Sequence, residues 1–303
     1  MSGEFATIAR LRRLLPEPPA GDTWIGDDAA VVAPPSAALL LTTDAVVAGV
    51  HVDLELVGLD DVGWKAVSAA VSDIAAMGGA PLYALVSVTG PPSTDIDALY
   101  RGVAEAVRSY GCPVVGGDLC GGPALVVSVS VAGSSGPQPP LLRSGARPGD
   151  TLFVTGPLGA SAAGLRLLRA GHDDDADALV RAHRRPEARV AEGWAARAAG
   201  ARAMIDVSDG LAADLRHLAE ASRVGFLLDA VPVAEGASLE EALGGGEDYE
   251  LAFSAPDPAP VDASFADRGL RPPLAIGHCS ADPAEQLLAG DPLPVAGWEH
   301  RWS

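Results

Sequence analysis

Aspartates recur along this chain beside glycine or directly after short apolar runs. They stand in Gly26-Asp27-Asp28-Ala29-Ala30, Thr42-Thr43-Asp44, Ser72-Asp73, Gly116-Gly117-Asp118 and Asp206-Val207-Ser208-Asp209-Gly210. A carboxylate at the end of a strand, followed by a residue able to turn sharply, points into a cleft rather than a core. One such residue is ordinarily a turn former. Repetition of the device, in a chain with 40 acidic and 21 basic residues, is hard to explain as turn chemistry. Clustered carboxylates repel one another unless cations hold them together, so the simplest inference is a multi-site divalent metal centre.

The charge balance narrows the partners. A net charge of −19 argues against nucleic acid, whose phosphates need a basic face. The only lysine is Lys65, and neither a phosphate-binding loop ending Gly-Lys-Ser/Thr nor a Gly-x-Gly-x-x-Gly segment occurs. A triphosphate approaching these carboxylates would be repelled, so metal ions must screen it.

An apolar share of 48% and a mean hydropathy of +0.21 come mostly from alanine and valine. Acidic residues, glycine or proline interrupt every apolar run before the ~20 residues needed to span a bilayer. No basic segment followed by an apolar one opens the chain, so neither a signal peptide nor a membrane partner is expected. The cysteines, Cys112, Cys120 and Cys279, lack metal-ligand spacing and are odd in number. This fits reduced thiols and a cytoplasmic location.

The chain reads as two α/β halves, residues 1–136 and 141–303, joined where proline and glycine crowd in Ser134-Ser135-Gly136-Pro137-Gln138-Pro139-Pro140. In the first half a helix is expected over residues 5–15. A buried strand over 37–41 would deliver Thr42, Thr43 and Asp44 at its end, and a helix capped by Asp60-Asp61 would run to Met77. Gly78-Gly79-Ala80-Pro81 would stop that helix before a strand over 82–89. A helix over 95–110, a short strand ending at Gly116-Gly117-Asp118 and a strand over 125–132 complete the half. In the second half, strands are expected over 152–155, 203–207, 226–229, 251–253 and 274–276, with helices over 161–170, 188–199 and 211–221. Strand and helix mix without strict alternation, which favours an α+β fold over a Rossmann sheet.

The wording and order of these segments resemble the thiamine-monophosphate kinases, of the ATP-binding superfamily that includes aminoimidazole ribonucleotide and selenophosphate synthetases. The resemblance is carried by Gly3-Glu4-Phe5, Ile25-Gly26-Asp27-Asp28-Ala29-Ala30-Val31, Thr42-Thr43-Asp44-Ala45-Val46, Gly49-Val50-His51 and Gly63-Trp64-Lys65-Ala66. It continues through Ser72-Asp73-Ile74-Ala75-Ala76-Met77-Gly78, Val115-Gly116-Gly117-Asp118 and Arg143-Ser144-Gly145-Ala146-Arg147-Pro148-Gly149-Asp150. Val207-Ser208-Asp209-Gly210-Leu211, Gly245-Gly246-Glu247-Asp248-Tyr249-Glu250-Leu251 and, more weakly, Gly297-Trp298 extend it towards the C-terminus.

The resemblance implies a two-domain synthetase-like fold whose first domain pairs with its twin in a homodimer, joining the sheets into a barrel-like core. It implies Mg2+ ligation by Asp28, Thr42, Thr43, Asp44, Asp73, Asp118, Asp206 and Asp209, all hard oxygen donors. ATP contacts would be Tyr100, Gly117, Asp118, Arg143 and Ser208, and thiamine monophosphate would meet His51, Glu247 and Trp298.

Local chemistry leaves other roles open. Thr42 and Thr43 also read as ordinary strand residues, and one of the Asp27-Asp28 pair as a turn cap. Arg143 could hold phosphate oxygens bidentately or be a solvated surface charge. His51 could be a satisfied structural histidine, and Trp298 could pack the chain terminus or attract the cationic thiazolium. Lys65 would pair with a carboxylate or a phosphate.

The implied reaction is in-line transfer of the ATP γ-phosphoryl group to the phosphate of thiamine monophosphate. That acceptor is already anionic at neutral pH, so no general base is expected.

Three departures from the family's wording stand out: Leu119-Cys120 follows Gly-Gly-Asp in place of threonines, the stretch between Asp209 and Glu247 is compact, and Leu142 precedes Arg143. The alternatives are a selenophosphate or aminoimidazole ribonucleotide synthetase, or a non-catalytic nucleotide-binding maturation partner. The first would want a reactive N-terminal cysteine, whereas the first here is Cys112. The last would end in a reactive cysteine, whereas this chain ends His300-Arg301-Trp302-Ser303.

Overall fold

The computed structural model describes residues 4–19, 22, 24, 25, 29, 30, 32 and 34–299. The chain divides into two compact units, Met1–Ile74 with Ala80–Gln138, and Ala75–Gly79 with Pro139–Ser303.

The first unit runs α1 (Glu4–Arg12), β1 (Leu39–Val47), α2 (Leu59–Ala76), β2 (Ala80–Gly90), α3 (Ile96–Tyr110), β3 (Val114–Gly121) and β4 (Val126–Ser134). Its strands form a four-stranded sheet in the order β1-β4-β2-β3, with β3 parallel to β2 and the other neighbours antiparallel. The alternation of β4 explains its two faces: Val127, Val129 and Val131 are buried, whereas Ser128 and Ser130 between them are half-buried.

On the buried face α2 lies close to β4, since a Cβ on Gly133 would come within 2.8 Å of the Ile74 side chain. Helices α2 and α3 cross so closely that a Cβ on Gly102 would stand 1.6 Å from the Asp60 carbonyl oxygen. Asp95 caps α3 by accepting the Ala98 N–H at 3.0 Å.

Three expectations are corrected. Thr42, Thr43 and Asp44 lie inside β1 rather than at its end, because Thr42-Thr43 and Ala45-Val46-Val47 continue an extended, β-branched run that pairs along the whole of β4. Asp118 likewise sits within β3, whereas Asp73 sits within α2, inside the helix expected to run to Met77. Ala80-Pro81 opens β2 instead of preceding it; the register shifts between Pro81 and Tyr83, an irregularity that tolerates the missing proline N–H.

The second unit runs β5 (Thr151–Val154), α4 (Ala160–Arg169), α5 (Ala178–Arg184), α6 (Val190–Ala198), β6 (Ala203–Asp206), α7 (Leu211–Ser222) and β7 (Gly225–Leu228). It continues α8 (Leu239–Gly244), β8 (Leu251–Ala255), α9 (Pro258–Ala266), β9 (Leu274–Ser280), β10 (Gln286–Leu288) and β11 (Asp291–Pro292). The strands form one mixed sheet, β11-β10-β7-β9-β5-β8-β6.

Alternate residues of its central strands serve two cores. Leu152, Val154, Ile205 and Ala252 pack with Leu211, Leu215 and Leu218 of α7. Phe153, Met204 and Phe253 pack with Ala195 and Ala196 of α6 and with Val261 and Phe265 of α9. Phe153 and Phe253 stack at 5.1 Å between ring centroids. Each large side chain so buried stabilises the unit by about 1.5–3 kcal/mol, and the sheet is covered on both faces. Helices α5, α8 and α9 lie outside the sequence expectations.

Candidate functional site

In the first unit the sheet register sorts the expected ligands onto two faces. Thr43 pairs laterally with Ser130, whose hydroxyl donates to the Thr43 hydroxyl at 3.0 Å. Asp118 is level with Ser87, which is level with Ser128, so it shares that face with Thr43. Over this face opens a cavity of about 1430 Å³ whose lining includes Thr43, Tyr83, Ser87, Tyr100 and Asp118. Leu41, on the same face, is 73% exposed.

Thr42 and Asp44 alternate to the α2 face. There the Thr42 hydroxyl donates to the Asp73 carboxylate, while the exposed Asp44 accepts its neighbour's Ala45 N–H at 2.8 Å. Asp44 and Asp118 lie on β1 and β3, the opposite edges of the sheet. Three strand spacings separate them, about 14 Å. Among the described residues no three His, Cys, Asp or Glu side chains converge as a metal site. Asp27 and Asp28 lie outside the described residues.

Other expected contacts of this unit have clear local causes. Tyr100 is buried on α3, and burial pushes its hydroxyl up to about 12. Gly117 is required by the backbone itself, because a Cβ there would stand 1.9 Å from the Val86 carbonyl oxygen of β2. His51 accepts the Val47 N–H on Nδ1 at 3.1 Å, which fixes its ring against the end of β1. Lys65 is fully buried in α2. Cys120 is exposed on β3.

In the second unit β6 ends at Asp206, and the turn that follows carries Ser208 and Asp209 into α7. Asp214, in the first turn of α7, accepts the N–H groups of Ser208, Asp209 and Gly210 on one oxygen, each at 3.1 Å. Its carboxyl is pushed up to about 8, first by burial and then by the nearby charges of Asp206 and Asp209.

The segment from Glu247 to Glu250 is anchored to the same turn. Glu247 N–H donates to the Ser208 carbonyl at 2.8 Å and Tyr249 N–H to the Val207 carbonyl at 2.9 Å. Glu247 and Tyr249 both adopt left-handed backbone, φ 68 and φ 50, which side-chain-bearing residues rarely do. Between them Asp248 accepts the Gly159 N–H at 2.6 Å and the Ser161 N–H at 3.1 Å at the start of α4. Burial pushes the Asp248 carboxyl up to about 6 against those two bonds. Glu250 takes the Thr155 hydroxyl and pairs with Arg189 at 2.8 Å and Arg271 at 3.4 Å. His183 stands 3.8 Å from the Glu247 carboxylate and 3.2 Å from the Ser161 hydroxyl.

Trp298 is far in sequence from the aspartate segments but not in space. Its backbone N–H donates to the Asp209 carbonyl at 3.0 Å while the residue stays 52% exposed. Arg143 is exposed, and its carbonyl accepts the Ser222 hydroxyl at 2.9 Å.

Sequence reasoning missed Asp214, Asp248, Glu250 and His183 as parts of these networks. Asp214 alone left a local signal, an acidic residue in the first turn of a helix directly after the Asp209-Gly210 turn.

Residues 26–135 match the AIR synthase related protein N-terminal domain, and residues 147–288 match the corresponding C-terminal domain. Fold and carboxylate-bearing segments thus define an AIR synthase-related protein. A thiamine-monophosphate kinase of Mycobacterium tuberculosis is 38% identical over 98% of this chain and 91% of its own length. The crystal structure of thiamine-monophosphate kinase from Stenotrophomonas maltophilia superimposes with a TM-score of 0.82 at 31% identity, covering 95% of this chain and 97% of that one. AaThiL in complex with AMPPCP and TMP gives a TM-score of 0.78 at 34% identity, covering 99% and 97%. This chain belongs to the thiamine-monophosphate kinase family.

Proposed function

We propose that the chain transfers the γ-phosphoryl group of ATP to thiamine monophosphate, forming thiamine diphosphate. The observation that carries this reading is the near-full-length likeness to thiamine-monophosphate kinases, among them a structure holding AMPPCP and TMP. The substrate phosphate attacks as an anion, since its second ionisation lies near pH ~6, so no residue of the chain has to remove a proton. The work left to the protein is positioning and charge neutralisation.

The donor set fits Mg2+: Asp44, Asp73, Asp118, Asp206 and Asp209 with Thr42 and Thr43 supply only hard oxygens. Burial first, and then the charges of Asp206 and Asp209, push the Asp214 carboxyl up, so negative charge gathers around this turn. Bound Mg2+ would neutralise the phosphate oxygens. Asp28 completes the proposed ligands. Tyr100, Gly117, Asp118, Arg143 and Ser208 are proposed to meet ATP, and His51, Glu247 and Trp298 to meet thiamine monophosphate.

A homodimer is part of the proposal. Among the described residues β1 and β3 are the two edges of the sheet, and joining β3 to a partner's β1 would bring the strand that carries Asp118 against the strand that carries Thr43 and Asp44. The first unit is accordingly proposed as the ATP-binding, metal-binding and dimerising domain, and the protein as cytoplasmic.

The test is an assay of ATP plus thiamine monophosphate, with Mg2+ or with EDTA, scored for thiamine diphosphate. Absence of product with Mg2+ overturns the activity. Equal ATP affinity by isothermal titration in Mg2+ and in EDTA overturns the metal reading alone.

A further inference from the structure

We infer that Asp214 is a positioning residue for the turn at residues 206–210, a role that deepens the metal-dependent reading above and rests on it. The carboxylate lies behind the turn, 2% exposed, and one of its oxygens collects the successive N–H groups of Ser208, Asp209 and Gly210 at 3.1 Å each. Three N–H groups converging on a single acceptor fix the peptide planes that carry them, and with those planes the directions of the Ser208 and Asp209 side chains.

The outer side of the same turn holds further residues of the proposed site. The Ser208 carbonyl takes the Glu247 N–H at 2.8 Å, and the Asp209 carbonyl takes the Trp298 N–H at 3.0 Å. Gly210 completes the bend with φ 111, where a side chain would be strained. A proposed metal ligand, an ATP contact and two substrate contacts are therefore all tied to a turn whose inner N–H groups end on one buried side chain.

The work is done by an acceptor oxygen rather than by charge. Asp214→Asn keeps one such oxygen, and its amide can face the neighbouring carboxylates. Asp214→Leu keeps the shape and removes the acceptor. Ordinary helix capping would stabilise α7 without controlling how cations bind, so the readouts are amide exchange at the turn and cation dependence of nucleotide binding.

Hydrogen exchange of the metal-free protein should be faster at Ser208, Asp209 and Gly210 in Asp214→Leu and as in wild type in Asp214→Asn. The Mg2+ concentration giving half-maximal ATP binding by titration calorimetry should rise about tenfold or more in Asp214→Leu, the scale expected when an outer partner of a metal ligand is lost. Asp214→Asn should stay within about twofold of wild type on the same scale. If Asp214→Leu does not fold, Asp214→Glu, which displaces the acceptor by one methylene, should show the same rise in Mg2+ requirement.

A wild-type Mg2+ requirement in the folded acceptor-removing or acceptor-shifting variant overturns the inference while leaving the kinase reading intact. A wild-type protein whose ATP binding ignores Mg2+ overturns the metal reading, and the inference falls with it.

Discussion

The two units carry carboxylates by different means. In the first, Asp44 and Asp118 ride on strands, and ladder register alone decides which face and which edge they occupy. In the second, Asp209 and Glu247 ride on irregular backbone held by tertiary contacts: Asp214 beneath one turn, Asp248 and Glu250 pinning a left-handed segment. A strand-borne group should therefore be replaceable without harm to the fold. A group on the second unit's frame should couple chemistry to stability.

The sharpest break of this comparison is expected at the strand-borne pair. Asp44→Asn and Asp118→Asn should each lower kcat for thiamine diphosphate formation by at least ~30-fold, the loss of about 2–4 kcal/mol of electrostatic stabilisation. Both positions are exposed, so melting temperature should stay at the wild-type value. Retention of more than about a tenth of kcat would remove that residue from the site.

The next effect belongs to the second unit's frame. Asp248 has its folded pKa raised to about 6, above the ordinary 3.8. The folded state therefore holds a proton that the unfolded chain has already released, and the contribution of Asp248 to stability should fall as pH rises from about 4 to about 6, then level off, while Asp214, pushed up to about 8, carries the decline further. The Asp248 drop is on the order of 2–3 kcal/mol at most. Urea midpoints of the wild type across that window should decline, and those of Asp248→Asn should decline less. Parallel curves for the two proteins would show that the frame does not feel this charge.

The smallest effect is expected at Trp298. The residue is half-exposed, so Trp298→Ala should change melting temperature little and raise KM for thiamine monophosphate several-fold, in keeping with ~0.5–2 kcal/mol for an aromatic face on a cationic ring. KM for ATP should stay nearly constant. A large fall in melting temperature with unchanged KM would make Trp298 structural, and the second unit's frame would then reach further than drawn.

The same contrast decides what could be read from the chain. The alternating Val-Ser-Val-Ser-Val of β4 and the apolar runs of β5, β6 and β8 announce their strands, because period and burial are local properties. The aspartate segments announce carboxylate chemistry but not their setting: Thr42-Thr43-Asp44 reads as a strand end when the strand in fact continues to Val47. Helices α5 and α8 are short, and their stability comes from packing and caps rather than periodicity, as in the Ser238–Glu241 capping box. The frame around Glu247 is invisible for the same reason. Asp248 meets Gly159 and Glu250 meets Arg189 and Arg271 only after folding, across separations no pattern in the sequence marks.

The sheet of the first unit has one further consequence, because its two edge strands carry different members of one proposed ligand set. If each site takes β3 from one chain and β1 from its neighbour, the two strand variants complement each other. Asp44→Asn homodimers and Asp118→Asn homodimers would both be dead. In a mixed dimer one site would collect both lesions and the other would be wholly wild type. Random reassortment of equal amounts would make about half the dimers mixed and return about a quarter of full activity, a result that requires each site to be shared between the two chains. A cell carrying two different broken copies of this gene could thus behave as though it carried a partly working one.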